Sequence, residues 1–447
     1  MKSLLILTLI SLSFCGHSKD EWRGRAIYQV LTDRFSNDNN SPVNCNLGNY
    51  CGGTYKGLKK NLDYIQGMGF DAIWISPIVE NSDGAYHGYH LTNLYKLNQN
   101  FGSEQDLIDL ITECHKRDIW VMVDVVGNHV APVGFDFQRI TPFNSADHYH
   151  DACQITDWNN QWMVENCRLC DLPDLKQENE WVANKLYEWI HDIVEKYNFD
   201  GIRIDTIPEV PKWFWDKFAA SSGVFQLGEV FNGNPSYVAG YQGHVDSLFN
   251  YPLYYTIKDS FCGSMRNIEN YWFNTRKIFP DPSILGVFVE NHDNPRFLNM
   301  CGDRKKFKNA SIFSIFYEGI PVYYYGGEQY FAGGADPNNR EVLWNNMDRS
   351  SDLYKALGAA NKVRKEKKTY EKELIQRYAD DVFYAFTRGD VLVCVTRGES
   401  CSRSITFHEF SEGTQLCDAL NPSDCVYVSG GAINVNMGQD PKVYVKK

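Results

Sequence analysis

Short runs of apolar residues alternate with longer amphipathic stretches along most of the chain. Apolar positions at helical spacing predict helices such as Phe101–Lys116 and Glu180–Tyr197. Strand–helix alternation indicates parallel strands, and eight such units predict an α/β fold, a (β/α)8 TIM barrel. The eight predicted strands are Ala26–Val30, Ala72–Ser76, Trp120–Val125, Gly201–Asp205, Val224–Gly228, Val245–Phe249, Leu285–Glu290 and Pro321–Tyr325.

Two regions depart from this alternation and predict further domains. Residues 128–180 hold no clean strand–helix unit and are too long for an ordinary loop, so we expect a small domain inserted after the third strand. Residues 369–447 show a period of two and predict a C-terminal antiparallel β-sandwich domain. The barrel then comprises residues 18–127 and 181–368. Strands expected in the C-terminal domain are Val391–Val395, Ile405–Phe407 and Val443–Val445.

The first residues have the pattern of a secretory signal peptide, for which we predict residues 1–17. Lys2 precedes an apolar run from Leu4 to Phe14, and small residues follow it. This run is too short to span a bilayer, and no other stretch approaches ~18 apolar residues. We therefore expect a protein without a membrane partner that is secreted, or delivered to the lumen of the secretory–lysosomal pathway.

Charge and composition narrow the class of ligand. The formal net charge of −12 argues against nucleic acid as a partner, because phosphate binding needs a basic face. A neutral substrate is compatible with this charge. Aromatic residues make up 14% of the chain, and many Tyr and Trp side chains suit stacking on the flat apolar faces of sugars.

The 13 cysteines, one of them inside the predicted signal peptide, indicate disulfides in a secreted chain. Their spacing predicts the pairs Cys45–Cys51, Cys153–Cys167, Cys262–Cys301 and Cys417–Cys425. Cys114, Cys170, Cys394 and Cys401 stay unassigned. Cys167 and Cys170 form one Cys-x-x-Cys pair, but there is no second such pair and no His-Glu-x-x-His motif, so a zinc site is not expected. Asn309-Ala310-Ser311 is a glycosylation pattern that predicts a glycoprotein, and Asn39-Asn40-Ser41 is a poorer one because Pro42 follows.

Acids, histidines and tyrosines follow five of the predicted strands. Because catalytic residues of such barrels lie at the C-terminal ends of the strands, these side chains should meet on one face. Arg203 and Asp205 are two residues apart, so they point the same way, and the guanidinium favours an ionised Asp205. Alone, this pair fits a buried structural ion pair equally well, but five such strand ends favour a functional site. The residues are His87 and Tyr89, Asp124 and His129, Arg203 and Asp205, Glu229, and His292 and Asp293.

Longer motifs around these residues resemble a known family. They are Asp124-Val125-Val126-Gly127-Asn128-His129, Leu172-Pro173-Asp174-Leu175, Gly201-Ile202-Arg203-Ile204-Asp205, Gly228-Glu229-Val230, Phe288-Val289-Glu290-Asn291-His292-Asp293, and Asp336-Pro337-Asn338-Asn339-Arg340. In their order and spacing they resemble the α-amylase family, glycoside hydrolase family 13, and within it the fungal-type enzymes. The resemblance runs from about Ala26 to about Arg364 and covers the C-terminal domain only by position.

The resemblance implies a role for each matching residue. Asp205 would be the nucleophile, Glu229 the acid and base, and Asp293 the stabiliser of the transition state. We expect Asp205 and Asp293 to raise the pKa of Glu229, so that it holds a proton near neutral pH. Arg203 would hold Asp205 ionised and pair with Asp124. The other substrate contacts implied are Tyr89, His87, His129, His292, Asp336 and Arg340.

The resemblance also implies a calcium site. Its ligands would be Asn128, Glu165, Asp174 and the backbone carbonyl of Glu209, which are the oxygen donors that Ca²⁺ prefers. A disulfide between Cys153 and Cys167 would hold Glu165 in place. The alternative is that Glu165 and Asp174 are merely exposed acids on the insert.

Two positions depart from the fungal-type pattern. His90 stands where these enzymes carry Trp, and Pro208-Glu209 stands where they carry Lys-His. We expect both near the cleft, with consequences for the leaving-group side. A chloride-binding arginine is not recognisable.

The resemblance thus implies a secreted, calcium-dependent, retaining endo-hydrolase of α-1,4-glucans, for which we expect a monomer. Two alternatives stay open. One is an α-glucosidase or transglycosylase of the same family, and the other is a non-catalytic glycan-binding protein on the same fold.

Overall fold

The computed structural model describes residues 16–447. The predicted signal peptide therefore lies outside the described residues, apart from Gly16 and His17. Within residues 16–447 no helix has both the length and the apolar character needed to cross a membrane.

Eight short parallel strands form a closed barrel. They are β1 (Ile27–Gln29), β2 (Ala72–Ile75), β3 (Trp120–Val125), β4 (Gly201–Ile204), β5 (Phe225–Gly228), β6 (Ser247–Leu248), β7 (Gly286–Val287) and β8 (Ile320–Tyr324). Their order is β6-β5-β4-β3-β2-β1-β8-β7, and every pair is parallel. A bridge between Phe249 and Gly286 closes the ring. The predicted (β/α)8 barrel is confirmed, with strands up to four residues shorter than expected.

The strand alternation sorts the side chains into two apolar layers. Ala72 and Trp74 of β2 belong to a cluster inside the barrel, whereas Ile73 and Ile75 belong to the layer between barrel and helices. Because side chains of a strand alternate faces, every second residue continues inward. The inward series of β3 is Trp120, Met122 and Asp124. The strand pattern therefore delivers polar side chains at the top of an otherwise apolar interior.

The helices surround the barrel. The predicted helix Glu180–Tyr197 is present with the same bounds. The other begins at Glu104 because Ser103 and Asp106 form a reciprocal capping box at its first turn. The α-helices are Lys19–Arg23, Thr32–Phe35, Tyr55–Lys60, Leu62–Gly67, Glu104–Lys116, Gln161–Asn166, Glu180–Tyr197, Lys212–Ser222, Pro235–Ala239, Tyr251–Cys262, Arg266–Asn270, Phe297–Cys301, Arg304–Phe316 and Asp352–Glu366.

Two excursions leave the barrel at its C-terminal rim. The first follows β2 as an antiparallel hairpin of Val79–Asn81 with Leu91–Leu97. The second runs from β3 to the helix Glu180–Tyr197 and contains the helix Gln161–Asn166, three single 3-10 turns and isolated bridges. It packs on the hairpin where Leu94 N donates to the Thr141 carbonyl at 2.9 Å. The predicted domain limits stay predictions.

The C-terminal region is an antiparallel β domain, as expected. Its strands are β9 (Leu374–Ala379), β10 (Phe383–Arg388), β11 (Val391–Thr396), β12 (Cys401–Ile405), β13 (Gln415–Asp418), β14 (Cys425–Ser429), β15 (Ala432–Met437) and β16 (Lys442–Lys446). The order is β9-β10-β11-β16-β13-β14-β15-β12. Side chains from both ends of this order, such as Phe383 and Ile405, share one core. The expected strand Ile405–Phe407 was misplaced, because the strand is Cys401–Ile405 and begins earlier. Its first four residues give no apolar pattern, since only Ile405 is buried.

The four predicted disulfides are confirmed, and within residues 16–447 the side chains of Cys114, Cys170, Cys394 and Cys401 have no disulfide partner.

The glycosylation expected at Asn309 is wrong for the folded protein. Asn309 lies inside the helix Arg304–Phe316 with no exposed surface, and its side chain bonds to Lys305, Gln439 and Thr396. A glycan needs an exposed asparagine. Asn39 is exposed, and its glycosylation stays a prediction.

Candidate active site

The polar cluster at the top of the barrel is built from consecutive strands. Asp124 ends the inward series of β3, Arg203 that of β4, and Glu229 follows Leu227 of β5 in the same way. The residue after β4 is Asp205, two positions beyond Arg203. All four side chains are buried. Neighbouring parallel strands thus bring together one cation and three carboxyl groups, as expected from the sequence.

Arg203 joins the three acids. Its Nη1 donates to Asp124 Oδ1 at 3.0 Å and to Asp205 Oδ1 at 2.7 Å. Its Nη2 lies 2.7 Å from Glu229 Oε2. Burial disfavours the charged guanidinium, but the acids around it outweigh burial and raise the pKa of Arg203 well above its usual value. One fixed cation therefore organises the whole cluster.

Glu229 holds its proton more strongly than an exposed glutamate does. Burial is the largest cause that raises its pKa well above the usual value, and the negative charges of Asp205 and Asp293 add to it. Arg203 opposes this shift without cancelling it. Tyr251 donates to Glu229 Oε1 at 3.3 Å. The expected direction of the pKa shift is present, but burial contributes more than the neighbouring acids.

Asp124 lies beneath Arg203 and is held from three sides. Trp74 Nε1 donates to Asp124 Oδ2 at 3.0 Å and the Tyr89 hydroxyl donates to the same oxygen at 2.7 Å. Burial raises the pKa of Asp124 to about 7, against the opposing effect of Arg203. Tyr89 also lies 2.8 Å from His292 Nε2, so it links the third strand end to the seventh.

Asp293 and Arg340 form the opposite edge of the cluster. Arg340 Nη2 lies 3.6 Å from Asp293 Oδ1, and its Nη1 lies 3.0 Å from Asp336 Oδ1. Arg340 also donates to the hydroxyl of Tyr86 and to the carbonyl of His292. Asp336 is half exposed. The structure thus places Arg340 between Asp293 and Asp336, whereas their expected role in binding the next sugar stays a prediction.

Three histidines near these acids lie in surroundings that favour the neutral imidazole, because burial lowers the pKa of each. Burial lowers the pKa of His129, lowers that of His292 well below its usual value, and lowers that of His87 to about 2. His129 Nε2 is buried and has no hydrogen-bond partner within residues 16–447. Gln29 holds the other ring nitrogen of His292 at 2.7 Å. The ring of Tyr89 lies near-parallel to those of His87 and His292, with 5.6 Å between centroids.

A second polar cluster lies beside the first, where the insert meets the barrel. A bridge pairs His129 with Asp174, and Leu175 N donates to the Asn128 carbonyl at 2.8 Å. This pairing holds the buried side chains of Asn128 and Asp174 next to each other. The backbone carbonyl of Glu209, from the 3-10 turn Ile207–Glu209 after β4, completes the cluster.

The amide of Asn128 tests whether these residues suit a cation. If Nδ2 faces the cluster, it donates to Asp174 Oδ1 at 2.9 Å and to the Glu209 carbonyl at 3.1 Å. If Oδ1 faces the cluster, three oxygens converge and Nδ2 lies 3.2 Å from His129 Nδ1. Oxygens that converge without a hydrogen between them are stable only around a cation, and Ca²⁺ takes amide, carboxylate and carbonyl oxygens. The residues therefore fit calcium.

Glu165, the fourth expected ligand, is held by Gln161 rather than by the other three expected ligands. Gln161 Nε2 donates to Glu165 Oε1 at 2.8 Å and to the Pro208 carbonyl at 3.0 Å, which ties its helix to the turn at Pro208. Within the described part of the chain, no group of three or more His, Cys, Asp or Glu side chains is close enough to hold a metal. The convergence thus consists of one acid, one amide and one carbonyl.

Pro208 and Glu209 are both buried, although the sequence suggested side chains that face the cleft. One carboxyl oxygen of Glu209 is buried and has no hydrogen-bond partner within residues 16–447. The turn is bound to the acid site, because Ile207 N donates to the Glu229 carbonyl at 2.9 Å. His90 packs at 4.6 Å from the ring of His87.

Several residues of the site were missed in the sequence. Trp74 and Gln29 lie at inward strand positions, and strand alternation was the signal that could have found them. Tyr251 follows the end of β6, so the strand-end rule applied to it as well. Phe231, two residues beyond Glu229, is half exposed and packs on Tyr251 with 4.6 Å between ring centroids. Tyr86 gave no local signal, since its partners Asp336 and Arg340 are far away in sequence.

Two carboxyl groups on one guanidinium at the rim of a (β/α)8 barrel are typical of a glycoside hydrolase. Comparison with known proteins identifies the family. Residues 29–373 match the model described as alpha amylase, catalytic domain. An α-amylase of Saccharomycopsis fibuligera is 39% identical over 95% of this chain and 92% of its own length.

Solved structures agree with this match. An α-amylase from Malbranchea cinnamomea superposes with a TM-score of 0.92 at 38% identity, over 96% of this chain and 98% of its own. An α-amylase from Geobacillus thermoleovorans, complexed with acarbose, gives a TM-score of 0.87 at 32% identity, over 95% and 99% of the two chains. The chain therefore belongs to the α-amylase family, and its resemblance to fungal members is confirmed.

Proposed function

We propose that the protein is a retaining endo-hydrolase of α-1,4-glucosidic bonds in starch, glycogen and maltooligosaccharides. The observation that carries this proposal is the shared guanidinium of Arg203, with 2.7 Å contacts to both Asp205 and Glu229. Two carboxyl groups on adjacent nitrogens of one guanidinium must lie close together. Retaining glycosidases need a separation of roughly 5–5.5 Å, whereas inverting ones need more room for water.

The reaction follows from the different environments of the two acids. Asp205, which accepts a hydrogen bond from Arg203, attacks the anomeric carbon and forms a glycosyl–enzyme ester. As the bond to the leaving oxygen breaks, Glu229 gives that oxygen its proton. Water then attacks the ester, Glu229 takes a proton from it, and Asp205 is released. The raised pKa of Glu229 supports this role, because the carboxyl must begin the cycle protonated near neutral pH.

The remaining residues would bind the sugars. Asp293 would stabilise the positive charge that develops on the ring and accept its hydroxyl hydrogens. His129 offers a buried, unpartnered Nε2, and neutral His292 and His87 also suit hydroxyl groups. Tyr89 would stack on the ring being cleaved. Asp336 and Arg340 would hold the next sugar on the non-reducing side.

Calcium is the proposed cofactor. Asn128, Asp174 and the carbonyl of Glu209 would hold it, with Glu165 as the fourth ligand. When bound, it would neutralise the converging oxygens and tie the insert to the strand ends of the barrel. No step of the glucan reaction needs to pass through it, since acid, base and nucleophile are all side chains of this chain.

We further propose a secreted monomer. Four disulfides suit an oxidising compartment, and the apolar run after Lys2 suits export. The substrate is the polysaccharide or oligosaccharide itself. Neither a nucleic acid nor a membrane is part of the proposal.

Starch digestion with product sizing and NMR of the first anomer tests the function. Internal cleavage should yield mixed oligosaccharides that keep the α configuration. Release of glucose alone would favour the α-glucosidase alternative, longer oligosaccharides would favour the transglycosylase, and no cleavage would favour the glycan-binding protein. Inverted product would remove Asp205 as the nucleophile.

Substitution tests the two acids directly. Glu229→Gln and Asp205→Asn should each lower kcat/KM by at least about 10³-fold, because each removes proton transfer or the covalent step. The control Asp216→Asn changes an acid on the outer helix Lys212–Ser222 that contacts His244. It should keep full activity. Circular dichroism of all three variants should match the parent, and activity retained in either acid variant would overturn the assignment.

A further inference from the structure

We propose that His150 is a positioning residue that fixes the carboxylate of Asp174 for calcium binding. This inference rests on the calcium site proposed above. His150 belongs to the insert and is not one of the ligands that the family resemblance implies. Its side chain is 7% exposed, which is low for a histidine on a small inserted segment.

The geometry divides the two oxygens of Asp174. His150 Nδ1 lies 2.7 Å from Asp174 Oδ2. The other oxygen, Oδ1, lies 2.9 Å from the amide of Asn128. His150 therefore occupies the oxygen that faces away from the cluster and leaves Oδ1 for the cation. A carboxylate held at one oxygen cannot rotate freely, so less entropy is lost when a ligand binds.

The other ring nitrogen of His150 is also held. Its Nε2 lies 2.9 Å from Glu178 Oε2, just before the helix Glu180–Tyr197. The imidazole is thus fixed between two acids and cannot swing away from Asp174. Each ring nitrogen is engaged by a carboxylate oxygen, so neither is available as a metal ligand itself.

The backbone fixes the same pair. His150 N donates to the Asp174 carbonyl at 3.0 Å, and bridges join Tyr149 to Leu175 on one side and His129 to Asp174 on the other. Asp174 is therefore the central residue of a small three-stranded arrangement. His150 approaches it from one side and Asn128 from the other. Removing the imidazole leaves this backbone in place, so the substitution isolates the orientation of the carboxylate.

A matched control lies two residues away. His148 stacks on Trp181 with 4.5 Å between ring centroids, and its backbone carbonyl accepts from Lys176 N. It belongs to the same segment, but within residues 16–447 it makes no hydrogen bond or ion pair with Asp174. His148→Gln removes an imidazole from the insert without changing a contact of the Asp174 carboxylate. It therefore measures how much the loss of any imidazole from this segment changes calcium affinity and melting temperature.

The experiment is a calcium titration of the full chain after chelation, by calorimetry. It compares the parent with His150→Ala, His150→Gln and His148→Gln. His150→Ala should weaken calcium binding by about 10- to 100-fold, the usual effect of losing such a support. His150→Gln should recover part of the affinity, because its amide can still donate to Asp174, and His148→Gln should bind like the parent.

Thermal unfolding with and without calcium separates positioning from folding. A merely structural role would lower both melting temperatures equally, whereas positioning shrinks the increase that calcium produces. An unchanged dissociation constant and an unchanged increase for His150→Ala would overturn the inference. If His150→Ala does not fold, His150→Gln decides by the same two measurements. If the parent itself binds no calcium, the proposed calcium site fails, and this inference fails with it.

Discussion

Two clusters of oxygen atoms lie side by side at the rim of the barrel, and they are neutralised in different ways. Asp124, Asp205 and Glu229 surround Arg203, so their cation belongs to the chain. Within residues 16–447, Asn128, Asp174 and the Glu209 carbonyl converge without a contact from Lys or Arg. The imidazole of His150 lies against the other oxygen of Asp174. Burial lowers the pKa of His150, but hydrogen bonds to Asp174 and Glu178 outweigh burial and raise it to about 9.

The difference follows from what each cluster does. The acid loses and regains a proton in every turnover, so the positive charge beside the acid and the nucleophile must not itself change, and a permanently charged guanidinium from β4 suits them. A cluster that joins two segments needs only enough positive charge to bring oxygens together, which the proposed calcium ion would provide. Buried oxygens without a partner are costly in either case. The comparison leads to the expectation that the insert, unlike the barrel, depends on an ion from outside the chain.

The largest effect should come from removing the internal cation. Arg203→Met leaves three buried acids around an apolar side chain, and breaking a buried pair of this kind costs about 3–5 kcal/mol. We expect denaturant unfolding to show that loss and activity to disappear. Arg276→Met, which removes a partly buried pair with Glu318, is the control and should cost less. Restoration by added calcium would contradict the separation of the two clusters.

Calcium removal should have the next largest effect, on the other cluster. A ligand that binds only the native state stabilises it by about 3 kcal/mol at a hundredfold excess over its dissociation constant. Chelation should therefore lower the melting temperature, and activity should fall with it because the turn at Glu209 is bound to Glu229. Calcium, rather than magnesium, should restore both. If thorough chelation changes neither, the converging oxygens are held by the Asn128 amide alone.

The smallest effect should come from substitutions in the turn that contacts both clusters. Pro208→Lys with Glu209→His introduces donors that the present residues lack, since proline has no N–H and an ionised Glu only accepts. We expect a shifted product ratio from a defined maltooligosaccharide and a change of about 1–2 kcal/mol in the barrier of kcat/KM. Calcium affinity should stay, because the ligand there is a backbone carbonyl. Identical product ratios would assign the leaving-group side to another loop, such as the one that carries His90.

Much of the barrel could be predicted from the sequence, because the residue patterns that indicate its strands and helices are local. A strand buried on both faces must be apolar, so β3 and β4 were visible as apolar runs whose polar residues stood out at the ends. The helix Glu180–Tyr197 was predicted to the residue because its periodicity runs unbroken from cap to cap. The strand β12 was not found, because an edge strand paired only with β15 needs no apolar alternation.

The candidate site likewise contains residues that the sequence pattern predicts and contacts that only the tertiary structure brings together. Asp124, Arg203, Asp205 and Glu229 follow from strand alternation and from parallel neighbours, and both are properties of the sequence pattern. The contacts of Tyr86 with Arg340, of Gln29 with His292 and of His150 with Asp174 join segments that no periodicity relates. Burial, which is the main cause of the raised pKa of Glu229, is likewise a property of the surroundings and not of the residue.

The sequence by itself determined which polar residues meet at the top of the barrel, because its strand pattern places Asp124, Arg203, Asp205 and Glu229 at neighbouring strand ends. It also predicted the four disulfide pairs, because the two cysteines of each pair follow one another along the chain without a third cysteine between them. Tertiary structure alone decided that Asn309 is buried, that Glu209 turns away from solvent, and that the oxygens of Asn128, Asp174 and Glu209 converge. These are relations between distant segments, because the free energy of burying a polar group depends on which residues surround it and pair with it.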